Sequence, residues 1–147
     1  MKTLDKNIGI FAKIMTLWLW GGFLYYVIEM WWRHEFSHPS MFIVGGLCFL
    51  LLGGINNYLP WRMGIIWQIL IGAGTVTVIE FLSGLIINVW LQLNVWDYSD
   101  MPFNLLGQIC LQYSFAWIIL SAIGIFLDDY LRWKLYGEIK PHYYSLF

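Results

Sequence analysis

Charge is what this sequence has least of. Asp, Glu, Lys and Arg make up 12% of its 147 residues, about half the ~25% of an ordinary water-soluble domain. So few charges exclude a soluble globular chain. The formal net charge of −1 leaves no basic patch to displace counterions from phosphates, which excludes nucleic-acid binding. Two cysteines, Cys48 and Cys110, fall in apolar runs where they serve as small packing residues, so neither a disulfide nor a metal site is expected. G-x-S-x-G, Walker A and G-x-G-x-x-G signatures are all missing. His34 and His38 are four apart but stand in a turn-prone stretch beside Pro39, a poor spacing for a metal. No metal or cofactor is expected.

Hydrophobic residues, in contrast, reach 60% and aromatic residues 20%, with ten Trp and nine Tyr, the rings that settle at lipid headgroups. Roughly twenty apolar residues, each rising about 1.5 Å, cross a hydrocarbon core of about 30 Å. Four segments qualify, at about 8–28, 41–58, 64–89 and 103–127, leaving a tail over 128–147. Turn signals divide them: His38-Pro39-Ser40, Asn56-Asn57 with Pro60, and Asp97 to Pro102. Short connections predict antiparallel neighbours, and hence an all-α membrane protein in which residues 1–147 form one up-down-up-down bundle. Lys2, Lys6, Lys13, Arg62, Arg132, Lys134 and Lys140 fall on one side and Arg33 alone on the other. The positive-inside rule then places both termini in the cytoplasm. The first span follows lysines as a signal peptide does, but its apolar core is longer and no A-x-A-like site follows, so it is expected to be retained.

Between Arg62 and Asp97 a single formal charge occurs, Glu80. A charged side chain within a span costs about 2.5–3.5 kcal/mol or more, which makes an intramembrane carboxylate a functional suspect. Thr77, Glu80, Gly84 and Asn88 share one helical face. Two readings are open: the wall of a polar cavity in the outer half of the bundle, or a hydrogen bond to a neighbouring helix that Gly84 lets approach. Tyr26, Glu29 and Arg33 repeat the pattern at the end of the first span, where Glu29 and Arg33 are spaced to pair. That pair is either a local ion pair or the rim of a site, in which Arg33 would meet an anionic substrate. Gly45, Gly46, Gly53 and Gly54 predict close helix packing in the second span.

The densest polar and aromatic cluster runs from Trp96 to Asn104. Ser99 or Asp100 is predicted to cap the fourth helix with Pro102 in its first turn. Asn104 and Gln108 then fall one turn apart, while Gly107, Cys110, Ser114, Trp117 and Ser121 form a small and polar stripe towards the other helices. The expected ligand site gathers Glu80 with Glu29, Arg33, Asn88, Asp97, Tyr98, Asn104 and Gln108, roofed by Trp96 and Tyr98.

The run Trp96-Asp97-Tyr98-Ser99-Asp100-Met101-Pro102-Phe103-Asn104, followed by Gly107, Ile109-Cys110-Leu111 and Ser114 to Trp117, resembles the CmpB-like family of small bacterial membrane proteins assigned as type IV ABC-transporter permeases. Glu80 and Gly84 match that family's acidic residue and glycine in order, and Tyr26 and Glu29 resemble its first-span tyrosine and glutamate. His38-Pro39-Ser40-Met41-Phe42 and Gly45-Gly46 depart from the family's Asn-Arg-Gly-Phe turn and Gly-Pro series. The resemblance implies a transporter-type subunit. Four spans are few for a solute pathway, so a homo-oligomer or a partner membrane protein is expected, with a separate ATPase if ATP is used. Two rival readings are an intramembrane enzyme using Glu80 or Asp97 as general acid or base on a lipid-linked substrate, and a non-catalytic assembly or sensor module.

Overall fold

The computed structural model describes residues 2–143, 145 and 146, with side chains from residue 9 onward. The side chains of Lys2 and Lys6, counted above for orientation, lie outside the described residues. Four helices order the chain: α1 Lys2–Arg33, α2 Pro39–Tyr58, α3 Ile65–Gly84 and α4 Leu111–Tyr136, with α3 running on into a π-helical segment, Leu85–Trp90. The segments Gly9–Arg33, Pro39–Tyr58, Ile65–Trp90 and Leu111–Tyr136 are each long and apolar enough to cross a membrane. The protein is therefore an all-helical membrane protein. Among the described residues, β pairing is confined to two-residue strands, β1 (Asn104–Leu105) and β2 (Ile109–Cys110), antiparallel with Asn104 opposite Cys110.

Local chemistry sets the helix ends. The His38 ring accepts the Ser40 N–H at 3.2 Å and Pro39 takes the first helical position of α2, where its missing N–H costs nothing. Gly64 brings no capping side chain to α3. The N–H groups of Ile65 and Ile66 donate instead to the carbonyls of Ser145 and Leu146, each at 3.1 Å. The C-terminal segment thus returns to cap a helix start that a bilayer would otherwise leave unpaired.

The fourth helix differs from the expectation. It begins at Leu111 instead of 103, and it continues to Tyr136, through residues expected to form a tail. Ser99 and Asp100 do not cap it; its N-cap is Cys110, which makes no side-chain capping bond. Turn chemistry explains the delay. The Asn104 amide donates to the carbonyls of Ser99 (3.1 Å) and Met101 (2.8 Å) and its oxygen accepts the Gly107 N–H (3.1 Å). Gly107 sits at φ +69°, and an added Cβ would lie 2.5 Å from Ser99 Oγ, so a glycine there turns the chain into β2 instead of into a helix. Asn104 and Gln108 are consequently not one helical turn apart.

Glycines bring α1 and α2 together. A methyl added at Gly22 or at Gly46 would lie 2.6 Å from the carbonyl oxygen of Phe42 or Trp18 respectively. Gly45 receives the ring of Tyr25 and Gly21 that of Phe49. In lipid, where no hydrophobic force drives helices together, such close contact holds them. A small core of Leu52, Ile55, Ile65, Val76 and Ile125 joins α2, α3 and α4, while Phe11, Phe23, Ile43 and Ile119 stand exposed on the lipid side. Gly46→Leu is expected to destabilise the protein by about 1–3 kcal/mol or more through overpacking. Gly74→Ala, which meets nothing within 4 Å, should be neutral or stabilising by up to about 1 kcal/mol. Denaturant unfolding of the two purified variants checks this; equal stability of both would refute the α1–α2 contact.

Candidate functional site

Glu80 projects from α3 into the bundle and is 7% exposed. Its Oε2 accepts the indole N–H of Trp117 on α4 at 2.7 Å, and its Oε1 accepts the Tyr98 hydroxyl at 3.2 Å. One carboxyl thereby ties α3 to α4 and to the 91–110 connection. Hydrogen bonds to a charged partner contribute about 1.5–3 kcal/mol each. Tyr98 stacks on Tyr113, ring centroids 4.8 Å apart, and burial and then the neighbouring Glu80 push its phenol well above the ordinary range. It remains a donor to Glu80.

Beside Glu80 opens a cavity of about 190 Å³. Its walls come from all four helices and from Trp96 of the connection, and are apolar apart from Glu80, Ser121, the Cys48 thiol and the polar atoms of Tyr25, Trp96 and Trp117. The Tyr25 ring lies 5.8 Å from that of Trp117. Among the described residues no Lys or Arg lines the space. Ser121 is fully buried, and its hydroxyl has no hydrogen-bond partner among the described residues.

Of the eight expected site residues, Glu80 alone lines this cavity. Glu29 and Arg33 do pair, at 3.0 Å, but they form a clamp. Glu29 also accepts from Ser37 Oγ (2.9 Å), whose carbonyl accepts from Tyr26 (2.6 Å), while both terminal nitrogens of Arg33 donate to the Val95 carbonyl at 3.1 Å. The end of α1 is thus bolted to the 34–38 turn and to the segment following the π-helix. Asn88 and Gln108 pair with each other at 2.9 Å; Asn88 Oδ1 also accepts the Val95 N–H, and Gln108 Nε2 donates to the Leu106 carbonyl. Gln108 lies on Gly84, where a Cβ would come 2.5 Å from its Oε1. The face of Gly84 and Asn88 is therefore covered.

The 91–110 connection forms a plug held by its own bonds. The buried indole of Trp96 donates to the Gln108 carbonyl at 3.0 Å. Asp97 is exposed and accepts both the N–H (2.9 Å) and the hydroxyl (2.5 Å) of Ser99, which hold its carboxyl below the usual aspartate range. Asn104 is exposed and serves the turn described above. The π-helical segment makes this closure possible: its wide turn, with the Leu91 N–H on the Ile86 carbonyl at 2.8 Å, ends the helix with Asn88 buried and able to receive the returning chain.

A second polar cluster, at the opposite end of the bundle, has no counterpart in the expected site. Asp128, fully buried, ion-pairs with Arg132 one turn on, and its carboxyl lies against Gly53 of α2. Asp129 accepts from Asn56 (2.7 Å) and Tyr143 (2.6 Å), and Glu138 pairs with Lys13 of α1. Burial and the Asp129 contact push the Tyr143 phenol up. Beside them lies an open hollow of about 440 Å³ bounded by Trp61, Asn57 and Glu138 among others. The Asp128–Arg132 spacing of four was the sequence signal for this cluster. Its position just past the apolar run made it read as tail.

Four helices long and apolar enough to cross a membrane, with buried polar clusters towards both ends and a cavity between them lined by Glu80, define a polytopic membrane protein. The chain belongs to the family described as "Putative ABC-transporter type IV", the CmpB family, whose sequence profile matches residues 10–147. No solved structure matches it.

Asp128→Ala is expected to cost about 3–5 kcal/mol, because it leaves the Arg132 guanidinium buried without its partner. Asp97→Ala, at an exposed turn, is expected to cost far less. Chemical unfolding of both variants measures the difference; a mild Asp128→Ala would return residues 128–136 to the status of a solvated tail.

Proposed function

We propose that this protein is a transporter-type subunit of the bacterial inner membrane whose binding site is the cavity headed by Glu80. The carrying observation is a buried carboxyl, held by Trp117 and Tyr98, that lines a space of about 190 Å³. An acid kept within the bilayer plane at the head of a cavity is placed to recognise a hydrogen-bond donor or a cation. The clamp formed by Glu29 and Arg33 and the plug formed by Asn88, Asp97, Tyr98, Asn104 and Gln108 close the site from one side. In this reading these residues position the site, and Glu80 binds.

The proposed bundle is antiparallel. Contacts between α1 and α2 pair Trp18 and Phe49 with Gly46 and Gly21, and Tyr25 and Phe42 with Gly45 and Gly22, so that one chain number falls as the other rises. Seven basic residues against Arg33 favour cytoplasmic termini, with Glu80 in the outer half. The family name is compatible with a separate ATPase, and the sequence has no phosphate-binding loop of its own. A homo-oligomer or a second membrane protein would complete a pathway that four helices alone leave narrow.

Two experiments test this. In a background without Cys48 and Cys110, a cysteine at Asn104 is expected to react with a membrane-impermeant maleimide in intact cells and one at Asn57 only after permeabilisation. The reverse pattern would overturn the orientation. Mass spectrometry of small molecules copurifying from native membranes should show a species retained by the wild type and by Trp18→Phe but lost from a folded Glu80→Leu variant. Identical sets on wild type and Glu80→Leu would remove Glu80 from the site.

A further inference from the structure

The cavity opens sideways. Ile28 of α1 and Ile123 of α4 both line it, and both are also exposed on the outer surface of the bundle, by 40% and 54%. The rings of Tyr25 and Trp117 touch across these two helices, while the Lys13–Glu138 pair ties α1 to the segment after α4. Ile28 lies one turn past Tyr25 and Ile123 nearly two turns past Trp117, and the surface nearby carries Phe23, Val27 and Ile119, all exposed apolar side chains of a membrane protein. Its surroundings are therefore acyl chains and not water.

What fills such a space follows from its walls. Apolar cavities of this size stay dry and take up apolar guests instead, and a void left empty forfeits the dispersion contacts of its lining. A plain hydrocarbon, however, would make no use of the acceptor that the buried Glu80 carboxyl presents to the same space, a polar group that gains from a donor. An anionic head is opposed by that carboxyl. Arg33 is committed to Glu29 and the Val95 carbonyl, Arg132 to Asp128, and no basic residue among those described lines the cavity.

We infer that the cavity binds one hydrocarbon chain bearing a hydroxyl or amine head, which enters from the bilayer between α1 and α4 and donates to Glu80. The inference rests on the reading of Glu80 as the binding acid. Its shared chemistry, an O–H or N–H donor on a single chain, fits both a resident membrane lipid and an amphiphile arriving from outside.

The test uses the full chain in phosphatidylcholine nanodiscs with dodecylamine, 1-dodecanol and dodecanoate as probes, read by native mass spectrometry and thermal unfolding. Dodecylamine and 1-dodecanol are expected to bind at least tenfold more tightly than dodecanoate. Leu120→Trp, which fills the cavity, should weaken both by tenfold or more; should that variant not fold, Cys48→Leu narrows the same space from α2. Glu80→Gln should remove the preference for the amine over dodecanoate while 1-dodecanol still binds. Equal binding of dodecanoate, binding untouched by cavity filling in a folded protein, or no binding of any probe would each overturn the inference. A single-chain alcohol or amine carried through purification from native membranes identifies a resident lipid, and binding of added probes to protein purified without one identifies an outside source. If Glu80→Leu alters the copurifying molecules while no probe binds, the Glu80 reading stands and the amphiphile inference falls.

Discussion

A bilayer gives a polar group no water to fall back on, so each one inside it must find its partner within the protein. Glu80 is where that constraint falls hardest. The two donors that answer it, Trp117 and Tyr98, come from α4 and from the 91–110 connection, so satisfying one carboxyl fixes how three parts of the chain meet. The rest of that end follows: Trp96 is buried against the Gln108 carbonyl, Gln108 lies on Gly84, and Asn88 receives the returning backbone.

The same rule closes the other end. Asp128, Asp129 and Arg132 sit in a helix too long to stop at the apolar boundary, and they are held by Asn56, Tyr143 and the close approach of Gly53. Between the two polar ends, glycines press α1 against α2, and α1 touches α4 at little more than its ends. A cavity is left because each neighbouring pair of helices is fixed by contacts elsewhere. Its polar groups are few, and one of them, the Ser121 hydroxyl, is unpaired among the described residues. The fold thus holds an acid and a hydroxyl on the wall of one cavity.

Much of this was legible in the sequence. Long apolar runs between turn signals marked four helices, because span length is set by bilayer thickness. The isolation of Glu80 among apolar residues marked it as buried, and the spacing of Glu29 and Arg33 marked their pairing. The family was legible in the run from Trp96 to Trp117. The start of α4 was not, since Ser99, Asp100, Pro102 and Asn104 suit a helix cap and a tight turn equally well. Gly107 at positive φ, together with the Asn104 side chain bound back to residues 99 and 101, decided for the turn. Asp128 and Asp129 fell within the expected tail over 128–147 because charge usually ends a span; Gly53 and Asn56 of α2, more than seventy positions away in chain number, meet them only once α2 and α4 pack. The cavity is likewise a product of packing, which no periodicity encodes.

The central claim is that Glu80 is a carboxyl reached from the lipid and not from water. Reaction of the membrane-embedded protein with a hydrophobic carbodiimide and, separately, with a water-soluble one, followed by peptide mass spectrometry, tests it most directly. The account predicts that the hydrophobic reagent modifies Glu80, while the water-soluble reagent modifies exposed Asp97 and leaves Glu80 intact. Modification of Glu80 by the water-soluble reagent, or its inertness to both, would contradict it.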